Sequence, residues 1–109
     1  MDIVSFIGQT TANMVAVSAV LEGGVIRGER DRYLLRAQAG QQMTVGISSL
    51  EDNAVFQIYE PGLRQTLEGA GEKDDATDWS GELPTSGDYT IVVGSGRGNA
   101  SYRLQLTIE

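Results

Sequence analysis

The last quarter of the chain, residues 83–108, constrains the fold most, because apolar residues recur at every second position along two separate runs. One apolar row extends from Tyr89 to Val93, and the other extends from Tyr102 to Ile108. Successive residues of a β-strand point to opposite faces, so each run predicts a strand with one face turned to a core. The runs are joined by a turn that contains Gly94, Gly96 and Gly98. These glycines predict a hairpin that uses positive φ angles.

Shorter runs of the same kind recur upstream at a spacing of roughly ten residues, as expected of an all-β domain. Residues 14–21 are apolar at nearly every position, which predicts a strand covered on both faces or buried against a partner chain. A helix competes for this segment, but its three valines and the following Gly23-Gly24 pair favour a strand that ends at the glycines. Further strands are predicted at 3–6, 25–27, 32–37, 43–48, 53–59 and 79–83, with a pair of strands joined at 39–41 and one long polar loop at 68–78.

The connections between these runs are too short for crossovers, which predicts antiparallel pairing. A chain of 109 residues has the length of one domain. The sequence therefore predicts an all-β fold: one domain over residues 1–109, built as an antiparallel two-sheet β-sandwich of about eight to nine short strands.

Two residue types that carry much of enzyme chemistry are missing, since the sequence has neither cysteine nor histidine. Their absence removes the thiolate nucleophile, the usual general base near neutral pH and the usual zinc ligands. Paired carboxylates at Glu51/Asp52 or Asp74/Asp75 are adjacent in sequence, and adjacent residues rarely converge across a substrate. We therefore expect a protein that is not an enzyme and that carries no cofactor.

Fifteen acidic against eight basic residues give the chain a net charge of −7. Such a surface repels nucleic-acid phosphates and anionic lipids and attracts a basic protein partner, although acidity by itself also serves solubility. No stretch is apolar enough to span a bilayer, and the first basic side chain is Arg27, so we expect no signal peptide in this sequence. The prediction is a protein partner, with no nucleic acid and no membrane.

Three motifs give the region from about 25 to 108 a family likeness. They are Asp31 with Tyr33, the Ala-Gly-Gln run at 39–41, and Leu-Pro-Thr-Ser-Gly-Asp-Tyr at 83–89. The pattern resembles the bacterial pre-peptidase C-terminal domain and the periplasmic inhibitors of invertebrate-type and goose-type lysozymes. The resemblance implies a periplasmic or secreted β-sandwich. For the inhibitor group it implies that a Ser-Gly-x-Tyr loop, here residues 86–89, enters the lysozyme active-site cleft.

On this resemblance the expected partner-binding residues are Ser86, Gly87 and Tyr89, and Arg97 at the tip of the glycine-rich turn is a further candidate. A serine hydroxyl and a tyrosine phenol can both hydrogen-bond to carboxylates, and arginine can form a bidentate pair with one. The alternative for the motif is structural, with Ser-Gly forming the turn and Tyr89 packing inward with its hydroxyl bound to nearby backbone. The alternative for Arg97 is a solubilising charge on a hairpin tip.

The polar loop offers weak calcium candidates at Asp74, Asp75 and Asp78, but it lacks the spacing of an EF-hand and contains Lys73. A solvated acidic loop is the preferred interpretation, so no metal is expected. Trp79, the one tryptophan, is expected to fill the core.

The function expected is that of a non-catalytic, lysozyme-inhibitor-like binding protein whose partner is a basic lysozyme, which electrostatics would steer towards an acidic chain. Two alternatives stay open. One is an adhesion or targeting module, similar to the pre-peptidase domain, that binds a polymer or a protein surface. The other is a self-assembling subunit, a homo-oligomer formed through the N-terminal strand at residues 14–21.

Overall fold

Two four-stranded sheets enclose a single core in a computed structural model that describes residues 3–7 and 17–109, with side chains described from residue 18 onward. The strands are β1 (Ile3–Ile7), β2 (Val17–Val25), β3 (Asp31–Ala37), β4 (Gln42–Ser49), β5 (Ala54–Tyr59), β6 (Asp78–Glu82), β7 (Gly87–Ser95) and β8 (Ala100–Ile108). Sheet A has the order β1-β3-β7-β5, and sheet B has the order β2-β8-β4-β6. The predicted two-sheet β-sandwich is confirmed. No helix in the described part of the chain could cross a membrane.

The core follows from the alternation seen in the sequence. Along β8 buried and more exposed residues alternate from Ala100 to Ile108, and the buried set faces the buried set of β7 across the sandwich. Leu35, Ile91 and Leu104 are completely buried. Burial of one such side chain stabilises the fold by about 1.5–3 kcal/mol, so a few of them outweigh any single surface interaction.

The predicted hairpin between β7 and β8 is wrong, because β7 lies in sheet A and β8 lies in sheet B. The turn at 96–99 crosses from one sheet to the other, and only Gly98 among its glycines has a positive φ, of 62°. The connection at 39–41 likewise joins β3 of sheet A to β4 of sheet B, so these two strands are not paired either. Period-two alternation predicts which face of a strand is buried, but it does not predict which other strand pairs with that strand.

The predicted end of a strand at Gly23-Gly24 is also wrong, since β2 continues through both glycines to Val25 and pairs with β8. Gly23 has a packing role there, because a Cβ at this position would lie 2.8 Å from the hydroxyl oxygen of Tyr102. Glycine inside a strand often marks such a close approach. Along the described part of β2 exposed residues alternate with half-buried ones, so this strand is not covered on both faces.

One strand departs from antiparallel pairing. β1 runs parallel to β3, with Ile3 opposite Arg32 and Ile7 opposite Arg36, while β2 intervenes in the sequence and lies in the other sheet. The apolar segment predicted at 14–21 is described only from Val17, and its first three residues lie outside the described ranges.

The polar loop is more ordered than a solvated loop would be, since Leu67, Ala70 and Ala76 are buried within it or beside it. The N–H groups of β5 residues Phe56 and Ile58 donate to the carbonyls of Ala76 and Ala70 at 2.9 Å and 3.0 Å. The loop therefore covers the outer edge of β5, which would otherwise expose unpaired backbone groups.

Trp79 lies half-buried against the core on β6, and it also braces the loop. Its indole N–H donates to the carbonyl of Glu68 at 2.8 Å. A buried indole normally finds such a partner for its N–H group, so the ring and its hydrogen bond together hold the loop against sheet B.

Candidate functional site

The loop between β6 and β7, residues 83–86, is attached at its start to the β3–β4 connection. Leu83 is buried; its N–H donates to the carbonyl of Gln41, and its carbonyl accepts from the N–H of Gly40, both at 2.8 Å. Two backbone hydrogen bonds around one buried side chain leave the start of the loop little freedom.

Tyr89, the third residue of β7, anchors the end of the loop at Thr85, and none of its surface is exposed. Its hydroxyl donates to the carbonyl of Thr85 at 2.6 Å and accepts from the N–H of the same residue at 3.2 Å. These contacts are the ones that the structural alternative for this tyrosine predicts. Tyr89 offers no surface to a partner, so its effect on binding can act only through the shape of the loop.

Ser86 is exposed at the tip of the loop. Its Oγ accepts a hydrogen bond from the N–H of Ala39 at 2.8 Å. A serine hydroxyl has one donor and two acceptor positions, and among the described residues the Ser86 proton has no acceptor. The loop thus presents one fixed hydroxyl whose proton can be given to an acceptor on another molecule.

Gly87 stands at a position that no other residue fits without strain. Its φ is +147°, and a Cβ would lie 2.9 Å from the side chain of Pro61. Only glycine adopts this backbone region readily, so the sequence requirement at Gly87 is set by geometry.

A pair of charges that the sequence did not reveal flanks the loop. The Nε atom of Arg36 on β3 lies 3.0 Å from Oδ1 of Asp88 on β7, and about half of each side chain is exposed. This contact raises the pKa of the Arg36 guanidinium above its ordinary value, through the hydrogen bond to Asp88 and then through the charge of Asp88. The pairing depends on the register Arg36↔Asp88, which no local pattern predicts.

Arg97 lies at the other end of the molecule from Ser86. The two residues flank β7, and nine strand residues at about 3.4 Å each separate them by roughly 30 Å. The structure therefore brings Ser86 and Gly87 together with Arg36, and it places Arg97 apart from all three. Ser86 and Arg97 cannot contact the same pair of carboxylates in a partner.

The turn around Arg97 is held through its backbone. The side-chain amide of Asn53 is buried and donates to the carbonyls of Arg97 and Asn99 at 2.7 Å and 2.9 Å. The N–H of Arg27 donates to the side-chain oxygen of Asn99 at 2.8 Å. The turn is fixed, while the Arg97 residue is exposed.

The calcium candidates do not form a coordination site. Oδ2 of Asp74 accepts from the N–H of Gly71 at 2.7 Å, which closes a local turn. Within the described ranges, no three acidic side chains come close enough together to hold a metal ion.

The fold and the site define a class: β-sandwich domains that present a loop held by hydrogen bonds at one end of the sandwich. The chain is similar to the periplasmic inhibitor of g-type lysozyme from Aeromonas hydrophila (PliG), with 33% identity, full coverage of both chains and a TM-score of 0.74. A mutant of the Escherichia coli PliG shares the fold at 20% identity, with a TM-score of 0.72 and coverage of 99% of this chain and 98% of that one.

The pre-peptidase C-terminal domain of a Bacillus anthracis collagenase shares the fold at 12% identity, with a TM-score of 0.66 and coverage of 95% and 93%. No protein-family model and no curated protein sequence matches the chain. The identity and full coverage shared with the Aeromonas protein show the family. This chain belongs to the PliG family of periplasmic inhibitors of g-type lysozyme.

Proposed function

We propose that this chain inhibits a lysozyme by inserting the loop at 83–86, together with Gly87, into the active-site cleft. The observation that carries the proposal is the exposed Ser86 hydroxyl, whose oxygen accepts from the N–H of Ala39 and whose proton has no acceptor among the described residues. The neighbouring residue Thr85 is held by the buried Tyr89 hydroxyl. Glycoside hydrolases commonly act with a pair of carboxylates, and a preorganised hydroxyl can donate to one of them. The proposed action blocks the cleft and requires no catalysis by this chain.

Charge supports the same partner. A net charge of −7 would attract a basic lysozyme over long range and raise the association rate at low salt. Asp88 beside the loop would be repelled by catalytic carboxylates, but its ion pair with Arg36 offsets that charge. The periplasm is the compartment that we propose for this activity, because the Aeromonas inhibitor is periplasmic.

The test is a turbidity assay of lysozyme on bacterial cell walls, with chicken-type, goose-type and invertebrate-type enzymes each titrated at low and moderate salt. We expect stoichiometric inhibition of the goose-type enzyme that weakens as salt rises. Ser86→Ala removes the donor and should weaken inhibition about 10- to 100-fold, the range for a hydrogen bond to a charged group. Inhibition unchanged by Ser86→Ala would reject the proposed contact.

Arg97→Gln is the matched control, because it removes a charge from an exposed loop at the opposite end of β7. If the end of the sandwich that carries Ser86 enters the lysozyme cleft, this variant should inhibit almost as well as the parent protein. A large loss with Arg97→Gln and none with Ser86→Ala would show that the other end of the sandwich binds.

Self-assembly through the N-terminal strand is a second proposal, and the topology favours it at one point. β2 has β8 as its only neighbour among the described strands, so one edge of its nine residues is open to a second copy. Light scattering over a hundredfold concentration range tests this: a growing mass supports assembly, and a constant monomer mass rejects it.

The adhesion alternative predicts that the protein binds glycans or collagen-like polymers in a pulldown assay. Lysozyme inhibition by itself would not produce such binding.

A further inference from the structure

The outer face of sheet A carries a basic recess on a protein of net charge −7. On a strand with one buried face the outward residues are exposed, yet Thr90 and Val92 on the outer side of β7 are 3% and 5% exposed. A cavity of about 360 Å³ opens here, with Val92 at its floor, and it is also lined by Arg30, Arg32, Gln57, Tyr59, Leu63 and Glu72. The loop at 83–86, which we propose enters the lysozyme cleft, does not line this cavity.

Strand register places the residues of this recess. Arg32 on β3 and Gln57 on β5 both lie opposite Val92 on β7, so the three form one row across the sheet. Adjacent strands are about 4.8 Å apart, so the recess is about 10 Å wide along this row. Arg30 precedes β3 and lies over Gly94, where a Cβ would be 3.4 Å from one of its guanidinium nitrogens. Glycine at 94 thus leaves room for the Arg30 side chain to lie along the sheet.

The two arginines are available to a ligand. The one ion pair in the described part of the chain joins Arg36 to Asp88, so neither Arg30 nor Arg32 has a carboxylate partner there. Guanidinium groups bind carboxylates and phosphates through paired N–H donors. Two of them line one wall of the recess, on a protein of net charge −7.

The opposite wall limits the kind of anion. The hydroxyl of Tyr59 donates toward the side-chain oxygens of Gln57 and Glu72, at 3.2 Å and 3.4 Å. Glu72 places a negative charge opposite the two arginines, so the lining carries a net charge of +1, which a single carboxylate neutralises. The Glu72 carboxylate and the Gln57 amide can accept or donate hydrogen bonds to hydroxyl groups. Leu63 and Val92 offer apolar contact to the ring of a small molecule.

We propose that this recess is a binding site for a small hydroxylated monocarboxylate, with its carboxylate on Arg30 and Arg32 and its hydroxyl groups toward Gln57, Tyr59 and Glu72. A sugar acid of one ring has this chemistry, and its size suits a cavity at the small end of the range for ligand sites. This site is independent of lysozyme inhibition, because no residue of the 83–87 segment lines it.

Three ligands that differ at one carbon provide the test: galacturonate, galactose and galactose 6-phosphate, titrated into the intact chain by calorimetry and by NMR of backbone amides. We expect galacturonate to bind with a dissociation constant of about 1 mM or tighter. It should shift the amides of residues 30, 32, 57 and 92. Galactose should bind at least about tenfold more weakly, because it lacks the charge that the arginines bind. Tighter binding of galactose 6-phosphate would overturn the preference for a monocarboxylate.

Arg30→Gln and Arg32→Gln, singly and together, should each weaken galacturonate binding about tenfold or more. Arg103→Gln is the matched control, since it removes the same charge from the exposed face of sheet B. Circular dichroism would verify that each variant is folded. Three results would each overturn the site. The double variant could still bind galacturonate, or Arg103→Gln could lose binding to the same extent. The parent protein could also show no binding at a galacturonate concentration ten times the expected dissociation constant. Lysozyme inhibition by the double variant reports on the proposed function separately.

Discussion

The hydroxyl of Tyr89 donates to the carbonyl of Thr85 at 2.6 Å, so a fully buried side chain determines the shape of an exposed loop. The tyrosine of the Ser-Gly-x-Tyr motif therefore supports the loop that carries Ser86. It is not a second exposed contact residue. A variant that removes the whole ring tests the core as much as the loop. Replacing Tyr89 by alanine would remove a core side chain at a cost of about 3–5 kcal/mol.

Tyr89→Phe isolates the hydroxyl. We expect the variant to lose about 1–2 kcal/mol of unfolding free energy, because the N–H and carbonyl of Thr85 each lose a partner. Urea denaturation measures this loss. Inhibition should weaken less than with Ser86→Ala, since the proposed donor remains. Wild-type stability together with wild-type inhibition would show that the hydroxyl does not shape the loop.

Gly87→Ala should destabilise the protein by about 1–3 kcal/mol, because the backbone is in a region that favours glycine and the new methyl group would lie against Pro61. Gly96→Ala is the matched control: its φ is not in the left-handed region, and the nearest atom to an added Cβ is 3.7 Å away. Thermal unfolding of both variants measures the difference. Equal melting temperatures would contradict the strain assigned to Gly87.

Gly23→Ala and Gly24→Ala compare two adjacent glycines of β2. A methyl at 23 would lie 2.8 Å from the Tyr102 hydroxyl, which cannot withdraw without losing its bonds to Asp31 and Tyr33. A methyl at 24 would meet only the carbonyl of Ala100, at 3.6 Å.

We expect the first variant to lose at least about 1 kcal/mol of unfolding free energy through broken hydrogen bonds, and the second to lose little. Chemical denaturation measures both. A larger loss at Gly24 than at Gly23 would refute the packing role of Gly23.

Tyr102 should make the stability of the fold depend on alkaline pH. Burial, then its hydrogen bonds to Asp31 and Tyr33, raise the pKa of the Tyr102 phenol well above its ordinary 10.0. The folded protein therefore retains a proton that the unfolded chain loses, and unfolding free energy falls as pH rises above about 10. Tyr102→Phe should be less stable at neutral pH, by about 1–2 kcal/mol, and should show a shallower decline between pH 10 and 12. An unchanged alkaline slope in the variant would contradict this assignment.

Much of the fold could be predicted from the sequence because it depends on local information. The alternation in β8 determined which of its residues are buried, and in β7 it determined which residues face the core. Glycine and proline marked most of the turns. The predictions that failed are those of which strands pair with each other. The chain after Gly94 turns into the opposite sheet, although its alternation is equally compatible with a hairpin. The strand end predicted at Gly23 fails for the same reason, since the partner of Gly23, Tyr102, is 79 residues away in sequence.

The sequence by itself determined the all-β class, the inward faces of the strands, the acidic charge and the position of the Ser-Gly-x-Tyr motif, because each of these depends on residue type and short spacing. Only the tertiary structure decided that the Tyr89 hydroxyl binds the backbone of Thr85, that Ser86 and Arg97 lie at opposite ends of β7, and that Arg30 and Arg32 share a recess with Gln57 and Tyr59. Those facts depend on strand order and register. Both are set by the packing of two sheets around one core, and contacts between residues far apart in sequence leave no local pattern.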